Sequence, residues 1–324
     1  MKSVRKYLDR VKGILLLLFT LLSCTEPESV VPEDYTYPAY FGSLAWHPDG
    51  VWLAAIHSDS VSHHDSANVK SKFTGVWLIN TTSSEKIPLL MNVSHPAWSS
   101  DGKWLAFVQS GNIHKVRIDS IDEGILDSNS FAQLTNSYVN TLPTWGNTDE
   151  FIYYDTDRGS TYYTIWKMNS SGIQLHNLCH NCDSLGFGDV RSPSTNGNGE
   201  SIVHIRYTND TDFPEIFTMS EMGEDVQRLT SDDDSDLYPK ISNSNDKILW
   251  SSNRGGGWAL WLMDIDGGNV RQISPDNGVA GAWSPDDNKI AYVLHSTSKA
   301  VYGNGEIWIM DADGRNRSRL TFIG

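Results

Sequence analysis

Six times along the 324-residue chain, a slot built mostly from Pro is followed two positions later by a slot built mostly from Trp, and an apolar run starts seven positions after that. The first slot holds Leu44, Pro96, Pro143, Pro193, Pro239 and Gly281, and the second holds Trp46, Trp98, Trp145, Thr195, Ile241 and Trp283. The apolar anchors are Leu53, Leu105, Ile152, Ile202, Ile248 and Ile290, spaced by 52, 47, 50, 46 and 42 residues. A period of that size suits propeller blades, whereas helical repeats recur every ~34 residues.

Within a unit, Ala97-Trp98-Ser99-Ser100-Asp101-Gly102 leads into Lys103 to Val108, and Ala282-Trp283-Ser284-Pro285-Asp286-Asp287 leads into Lys289 to Leu294. Ser, Pro, Asp and Gly between two β-branched and aromatic stretches predict a hairpin. A third strand is expected at Val76 to Ile79, Ile113 to Ile118, Ile165 to Met168, Ile216 to Met219, Leu260 to Met263 and Ile307 to Met310. Turns such as Asp264-Ile265-Asp266-Gly267 lead to a fourth at Ala132 to Thr135, Gln227 to Thr230, Arg271 to Ser274 and Ser318 to Thr321. No 3.6-residue periodicity competes after the leader, so the fold expected is all-β, a six-bladed β-propeller of four-stranded antiparallel blades.

The pattern Pro-x-Trp-Ser-Pro-Asp-Gly, an apolar strand, Ile-Trp-x-Met-Asp-x-Asp-Gly and Arg-Leu-Thr resembles the TolB-type, WD40-like propeller repeat over residues 40–322. The match is strong in the second, fifth and sixth units and departs in the fourth, where Thr195 replaces Trp and residues 194–200 are rich in Gly and Asn. The family's periplasmic namesake carries an α/β domain ahead of its propeller, for which no stretch of this chain is expected to serve. The resemblance therefore implies the fold and not the namesake's identity. The repeated Trp and Pro are read as structural, filling the wedges between blades. The Asp-x-Asp-Gly segments are read as hairpin turns, because a helix-loop-helix calcium loop needs further ligands and a Glu at its twelfth position.

Lys2, Arg5, Lys6, Arg10 and Lys12 precede the apolar run Ile14 to Leu22, too short to span a bilayer as a helix, so residues 1–23 read as a signal peptide. Leu21-Leu22-Ser23-Cys24 resembles the bacterial lipoprotein processing motif, which implies diacylglycerol on Cys24. Residues 24–39 form the expected lipidated tether, rich in Glu, Pro and Ser, and 40–324 the propeller. Acyl chains at about 0.8 kcal/mol per buried methylene hold such a protein on a membrane. Thr25 stands where Asp resembles an inner-membrane retention signal, which favours the outer membrane, with periplasmic and surface orientations both open.

The formal net charge is −15, and a leader with five basic residues and one acidic leaves the remainder near −19. Nucleic-acid binding relies on phosphate neutralisation and is excluded on this ground. Asp232, Asp233, Asp234 and Asp236 read as a solvated loop rather than a metal site. With Cys24 given to lipid, Cys179 and Cys182 are expected to close a small disulfide loop in an oxidising compartment. A metal site with His176 or His180 is the alternative, although no second cysteine pair completes a zinc set. His57, His63, His64 and Asp65 read as an exposed polar insertion. No cofactor and no metal is expected.

The sequence contains no Gly-x-Ser-x-Gly elbow, no His-Glu-x-x-His, no phosphate loop and no dinucleotide fingerprint, so no catalytic residue is assigned and the expectation is a non-enzyme. Propeller peptidases carry their triad in a separate α/β domain, and the chain given ends at Gly324 after the sixth unit. Loops at 57–73, 180–192, 231–238 and 295–305 are expected on one face, those of the first and sixth units forming a raised wall. On that face the residues before the Pro slot, Ser43, His95, Leu142, Ser192, Tyr238 and Ala280, should ring the channel mouth, with Asn140, Arg191 and Lys240 nearby. His95, Asn140, Arg191, Tyr238 and Lys240 are the candidate partner-binding face, suited to an acidic loop or a peptide terminus. The expected function is a membrane-anchored envelope lipoprotein acting as a protein-binding or scaffold module. The alternative is a glycan-binding protein or an envelope carbohydrate-active enzyme resembling lyase-type propellers, which would need a His cluster at the mouth.

Overall fold

A computed structural model describes residues 43–62, 70–146, 148–179, 188–195, 201–208, 213–295 and 305–321, with backbone only at 58–62 and 70–74. Cys24, the leader, the tether, Cys182, the tip at 63–69, the loop at 180–187 and the loop at 296–304 lie outside the described residues.

The described chain folds as a six-bladed β-propeller of four-stranded antiparallel sheets, each blade built from one contiguous stretch. The first blade holds β1 (Leu44–Trp46), β2 (Trp52–Ser62), β3 (Lys70–Asn80) and β4 (Lys86–Met91). The second holds β5 (Ser94–Trp98), β6 (Trp104–Gln109), β7 (Asn112–Ser120) and β8 (Ile125–Gln133). The third holds β9 (Asn140–Trp145), β10 (Phe151–Thr156), β11 (Thr164–Asn169) and β12 (His176–Asn177). The fourth holds β13 (Val190–Thr195), β14 (Ser201–Tyr207), β15 (Pro214–Ser220) and β16 (Gln227–Arg228). The fifth holds β17 (Asp236–Ile241), β18 (Lys247–Ser252), β19 (Ala259–Asp264) and β20 (Arg271–Gln272). The sixth holds β21 (Gly278–Trp283), β22 (Lys289–His295), β23 (Gly305–Asp311) and β24 (Ser318–Arg319).

The seven-residue spacing of the repeat is the register of the first hairpin. Trp46 lies opposite Leu53, Trp98 opposite Leu105, Trp145 opposite Ile152, Thr195 opposite Ile202, Ile241 opposite Ile248 and Trp283 opposite Ile290. The turn between them is tied by its serine. Ser99 N donates to Trp104 O, Trp104 N donates to Ser99 Oγ and Ser99 Oγ donates to Asp101 Oδ1, and Ser284 repeats the arrangement with Lys289 and Asp286. Near the outer strand, the hydroxyls of Thr135, Thr230, Ser274 and Thr321 each accept the N–H of the third strand's first apolar residue, at 2.7–2.9 Å. In the Asp-x-Asp-Gly turn, Lys247 Nζ binds Asp264 Oδ1 at 2.9 Å, and Lys289 pairs with Asp311 in the same way.

Each inter-blade wedge is apolar and is also stitched by hydrogen bonds. Trp98 Nε1 donates to Ala45 O at 3.2 Å, Trp145 Nε1 to Ala97 O at 3.0 Å and Trp283 Nε1 to Lys240 O at 3.1 Å, each reaching the preceding blade. Thr195 keeps the link with its hydroxyl, donating to Trp145 O at 2.7 Å, while Ile241 has no donor to offer. The ring closes without an exchanged strand among the described residues. Leu44, Leu53, Trp77 and Ile79 of the first blade pack with Val279, Ala291, Val293 and Ile307 of the sixth.

Two expectations need correction. Residues 57–62 and 70–73 are no loop: β2 and β3 pair in register from Trp52↔Asn80 to Ser62↔Lys70, because backbone bonds can extend a hairpin through polar sequence. Asp236 is no part of a solvated loop, for it opens β17 fully buried, its charge met by Arg254 at 2.7 Å and by Trp250 Nε1 at 2.9 Å.

Candidate functional site: the channel mouth

The innermost strands of five blades carry the same bulge. The two residues 95–96, 142–143, 192–193, 238–239 and 280–281 face a single residue on the second strand. In every case the first of the pair is left-handed: φ is +52° at His95, +50° at Leu142, +57° at Ser192, +53° at Tyr238 and +54° at Ala280. A non-Gly residue pays about 1–2 kcal/mol for that conformation, so its recurrence marks an imposed geometry. The residue opposite each bulge is a buried ring: Phe107, Tyr154, His204, Trp250 and Tyr292. None of the left-handed residues is β-branched, the side-chain class that suffers most there.

The bulges turn these residues toward the axis. They line, with Ser43 and Leu44, one depression of about 660 Å³ open to solvent, whose walls are completed by Pro96, Pro143, Pro193, Pro239 and Gly281. Gly281 replaces Pro because a Cβ there would come within 2.5 Å of Leu249 Cδ2.

Side-chain acceptors on the second strands hold two of the bulges. Ser251 Oγ accepts Ala280 N–H at 3.1 Å, and Asp155 Oδ2 accepts Ser192 N–H at 3.3 Å. Asp155 is fully buried in β10 and is also bonded by Thr141 Oγ1 and, at 3.1 Å, by Arg191 Nε. The Arg191 guanidinium lies 3.9 Å from the centre of the Tyr163 ring. Burial works against the Arg191 charge, and Asp155 and Asp189 outweigh it, so its pKa stands above the ordinary guanidinium value. Burial also pushes the Asp189 carboxyl up. Burial drives His95 down to about 4, with Lys240 and Arg191 adding to the fall and Asp155 opposing it. At neutral pH the imidazole is therefore uncharged, its Nδ1 2.9 Å from Ser94 Oγ. Lys240 is lowered to about 8 by burial.

The structure brings His95, Tyr238 and Lys240 to the depression, with Arg191 beside Ser192 at its rim. It turns Asn140 elsewhere: that side chain is buried, and its Nδ2 donates to the carbonyls of Gly111, Ser137 and Tyr138, clamping the approach to β9. Asp155 and Tyr163 were missed in the sequence, although a carboxylate inside Phe151-Ile152-Tyr153-Tyr154-Asp155 is itself a signal, since Asp is almost never fully buried unless paired. Cys179 is buried against Tyr153, Val190 and Ile202. A second acidic group sits at the blade 4–5 junction, where Glu215, Asp232 and Asp236 approach one another. Arg228 and Arg254 neutralise it, at 3.1 Å from Glu215 and at 2.9 and 2.7 Å from Asp232 and Asp236. Burial nevertheless pushes the Glu215 and Asp236 carboxyls up.

No family model matches the chain. An uncharacterized protein of Agrobacterium fabrum is 25% identical over 253 residues, covering 62% of this chain and 84% of its own. Among solved structures, a protein assigned as TolB from Agrobacterium tumefaciens superposes with a TM-score of 0.61 at 18% identity, over 73% of this chain and 82% of that one. TolB from Acinetobacter baumannii gives 0.60 at 15% identity, over 86% of this chain and 62% of that one, so the chain spans less than two thirds of it. An oligogalacturonate lyase in complex with manganese gives 0.51 at 10% identity, over 83% and 88%. These likenesses establish a TolB-like six-bladed propeller fold.

Proposed function

We propose that this protein is a membrane-anchored cell-envelope propeller that binds a protein partner at its channel mouth. The observation that carries the reading is the convergence of five strained bulges on one depression that presents His95, Tyr238 and Lys240, among which Tyr is a residue type that anchors interfaces when set in a desolvated pocket. The similarity to TolB supports an envelope setting and a protein partner. The leader and Leu21-Leu22-Ser23-Cys24 support lipid attachment at Cys24.

The mouth is read as a binding site and not a catalytic one. A lyase-type metal centre needs several ligands around a cation, whereas the mouth presents His95 beside the Lys240 ammonium, and the nearby Asp155 carboxylate is already paired with Arg191.

In-cell crosslinking followed by mass spectrometry tests the reading, comparing wild type with the double variant Tyr238→Ala, Lys240→Ala. Enrichment of one envelope protein with wild type and its loss with a folded double variant is the expected result. Capture that is insensitive to the double variant would overturn the placement. Cys24→Ser should release the protein from the membrane fraction.

A further inference from the structure

The mouth holds three groups that can carry positive charge, and they differ in what they have left to give. Arg191 is committed to Asp155, at 3.1 Å. His95 is uncharged at neutral pH. Lys240 alone lines the depression with no hydrogen-bond or ion-pair partner for its ammonium among the described residues. In a chain of net charge −15, with acidic groups on most of its surface turns, an unpaired and half-buried ammonium is an uncommon thing to keep.

The surroundings narrow what it can receive. The depression that Lys240 lines is walled by four prolines and Leu142, stiff and apolar, interrupted by Ser43, His95, Ser192 and Tyr238. One uncompensated cation matches a monoanion, and the apolar collar matches a hydrophobic stem carrying it.

We infer that the channel mouth captures a free carboxylate of its partner, seated on Lys240 Nζ, with the apolar residue that carries it packed against the proline collar. The inference rests on the mouth being the partner site. The carboxylate belongs to a peptide, either at its C-terminus or on a Glu side chain. A charge-assisted bond of this type in a half-buried site should separate charged from uncharged ligands by about tenfold or more.

The test uses the protein purified from cells in detergent and four probes, followed by calorimetry: N-acetyl-Ala-Leu as the free acid, its C-terminal amide, N-acetyl-glutamate amide and D-galacturonate. The free acid is expected to bind at least about tenfold tighter than the amide. Lys240→Met should abolish that difference and Lys240→Arg should keep it, which also controls for folding. Preference for N-acetyl-glutamate amide with the same dependence on Lys240 supports the inference and assigns the carboxylate to a side chain. Equal binding of acid and amide, or a difference that survives Lys240→Met, overturns it. Binding of galacturonate alone overturns the peptide and puts an acidic sugar in its place. If none of the probes binds while the crosslinked partner is still lost with Tyr238→Ala, Lys240→Ala, the carboxylate fails and the mouth as partner site stands. If crosslinking ignores the double variant, the site reading itself fails.

Discussion

Trp46 Nε1 donates to the carbonyl oxygen of Ala282 at 3.1 Å, joining residues 236 positions apart. The same bond links neighbouring blades elsewhere in the ring, but here it crosses the boundary between the first and last blades, where the described chain supplies no covalent connection. At this seam, the indole and the apolar cluster around it take the place of a backbone link.

Replacing Trp46 with Phe should therefore cost about 1 kcal/mol for the lost bond, and more if Ala282 O stays buried and unmet. Its kinetic signature should differ from that of Trp98→Phe, which removes the same bond inside a continuous stretch of chain. Hydrogen exchange is expected to quicken across both the first and sixth blades in Trp46→Phe, and to stay local in Trp98→Phe. Equal, local effects in the two variants would contradict the seam argument.

Ala280 holds φ at +54°, with a partly exposed methyl group at the edge of the apolar cluster between the first and sixth blades. Ala280→Gly should raise stability by roughly 0.5–1 kcal/mol, since relief of left-handed strain exceeds the added entropy of the unfolded chain. Ala280→Val should lower it. Thermal melts of the two variants moving in the same direction would argue against an imposed bulge.

Asp236 is fully buried against Arg254 and Trp250. Truncation to Ala leaves a guanidinium that is only 16% exposed, with Asp232 as its remaining ion-pair partner and Ser252 Oγ accepting from its Nε. A loss of about 3–5 kcal/mol in denaturant unfolding is expected. A loss below ~1 kcal/mol, the range of an exposed pair, would mean that the junction behaves as a surface.

Burial lowers His204 to about 3, below its ordinary 6.5, with Arg206 adding to the fall. The unfolded chain then takes up the proton first, so the stability tied to the neutral ring is complete above pH 6.5 and is lost as the pH falls toward 3. The linkage slope for one such group is up to about 1.4 kcal/mol per pH unit. His204→Phe places at this bulge the ring that Phe107 supplies in the second blade and removes the titration. Urea midpoints of wild type and His204→Phe should converge, or cross in favour of the variant, between pH 7 and pH 4.5. A pH-independent gap would rule the assignment out.

Much of the fold was legible because the repeat spells out cross-strand contacts. Trp98 and Leu105 recur seven apart since they face each other across a turn whose Ser and Asp tie their own backbone. What escaped was structure that sequence does not encode by pattern. The outer strand of the third blade, His176–Asn177, is as short as those of the last three blades but lacks the Arg-Leu-Thr-like signature that marks them, and β4 in the first blade is mixed in character. The polar arms of β2 and β3 looked like a loop because backbone pairing leaves no apolar alternation in their sequence. At the mouth, the positions before the Pro slot were visible, but Asp155 acquires its role only by meeting Arg191, 36 residues on, and Asn140 faces inward because three carbonyls converge on its amide. The run at 232–236 read as uniformly wet, yet Arg254 makes its last member part of the interior.

The bulge separates two tasks that a strand usually combines. Pairing resumes on either side of it, so the residue it turns toward the axis stands outside the ladder, even where Tyr238 and Ala280 also touch the edge of a wedge. His95, Leu142, Ser192, Tyr238 and Ala280 thus behave as five letters on a fixed dial, with Ser43 in the sixth place. Selection can rewrite what the mouth recognises one position at a time, in any order, while the ring that displays it is inherited unchanged.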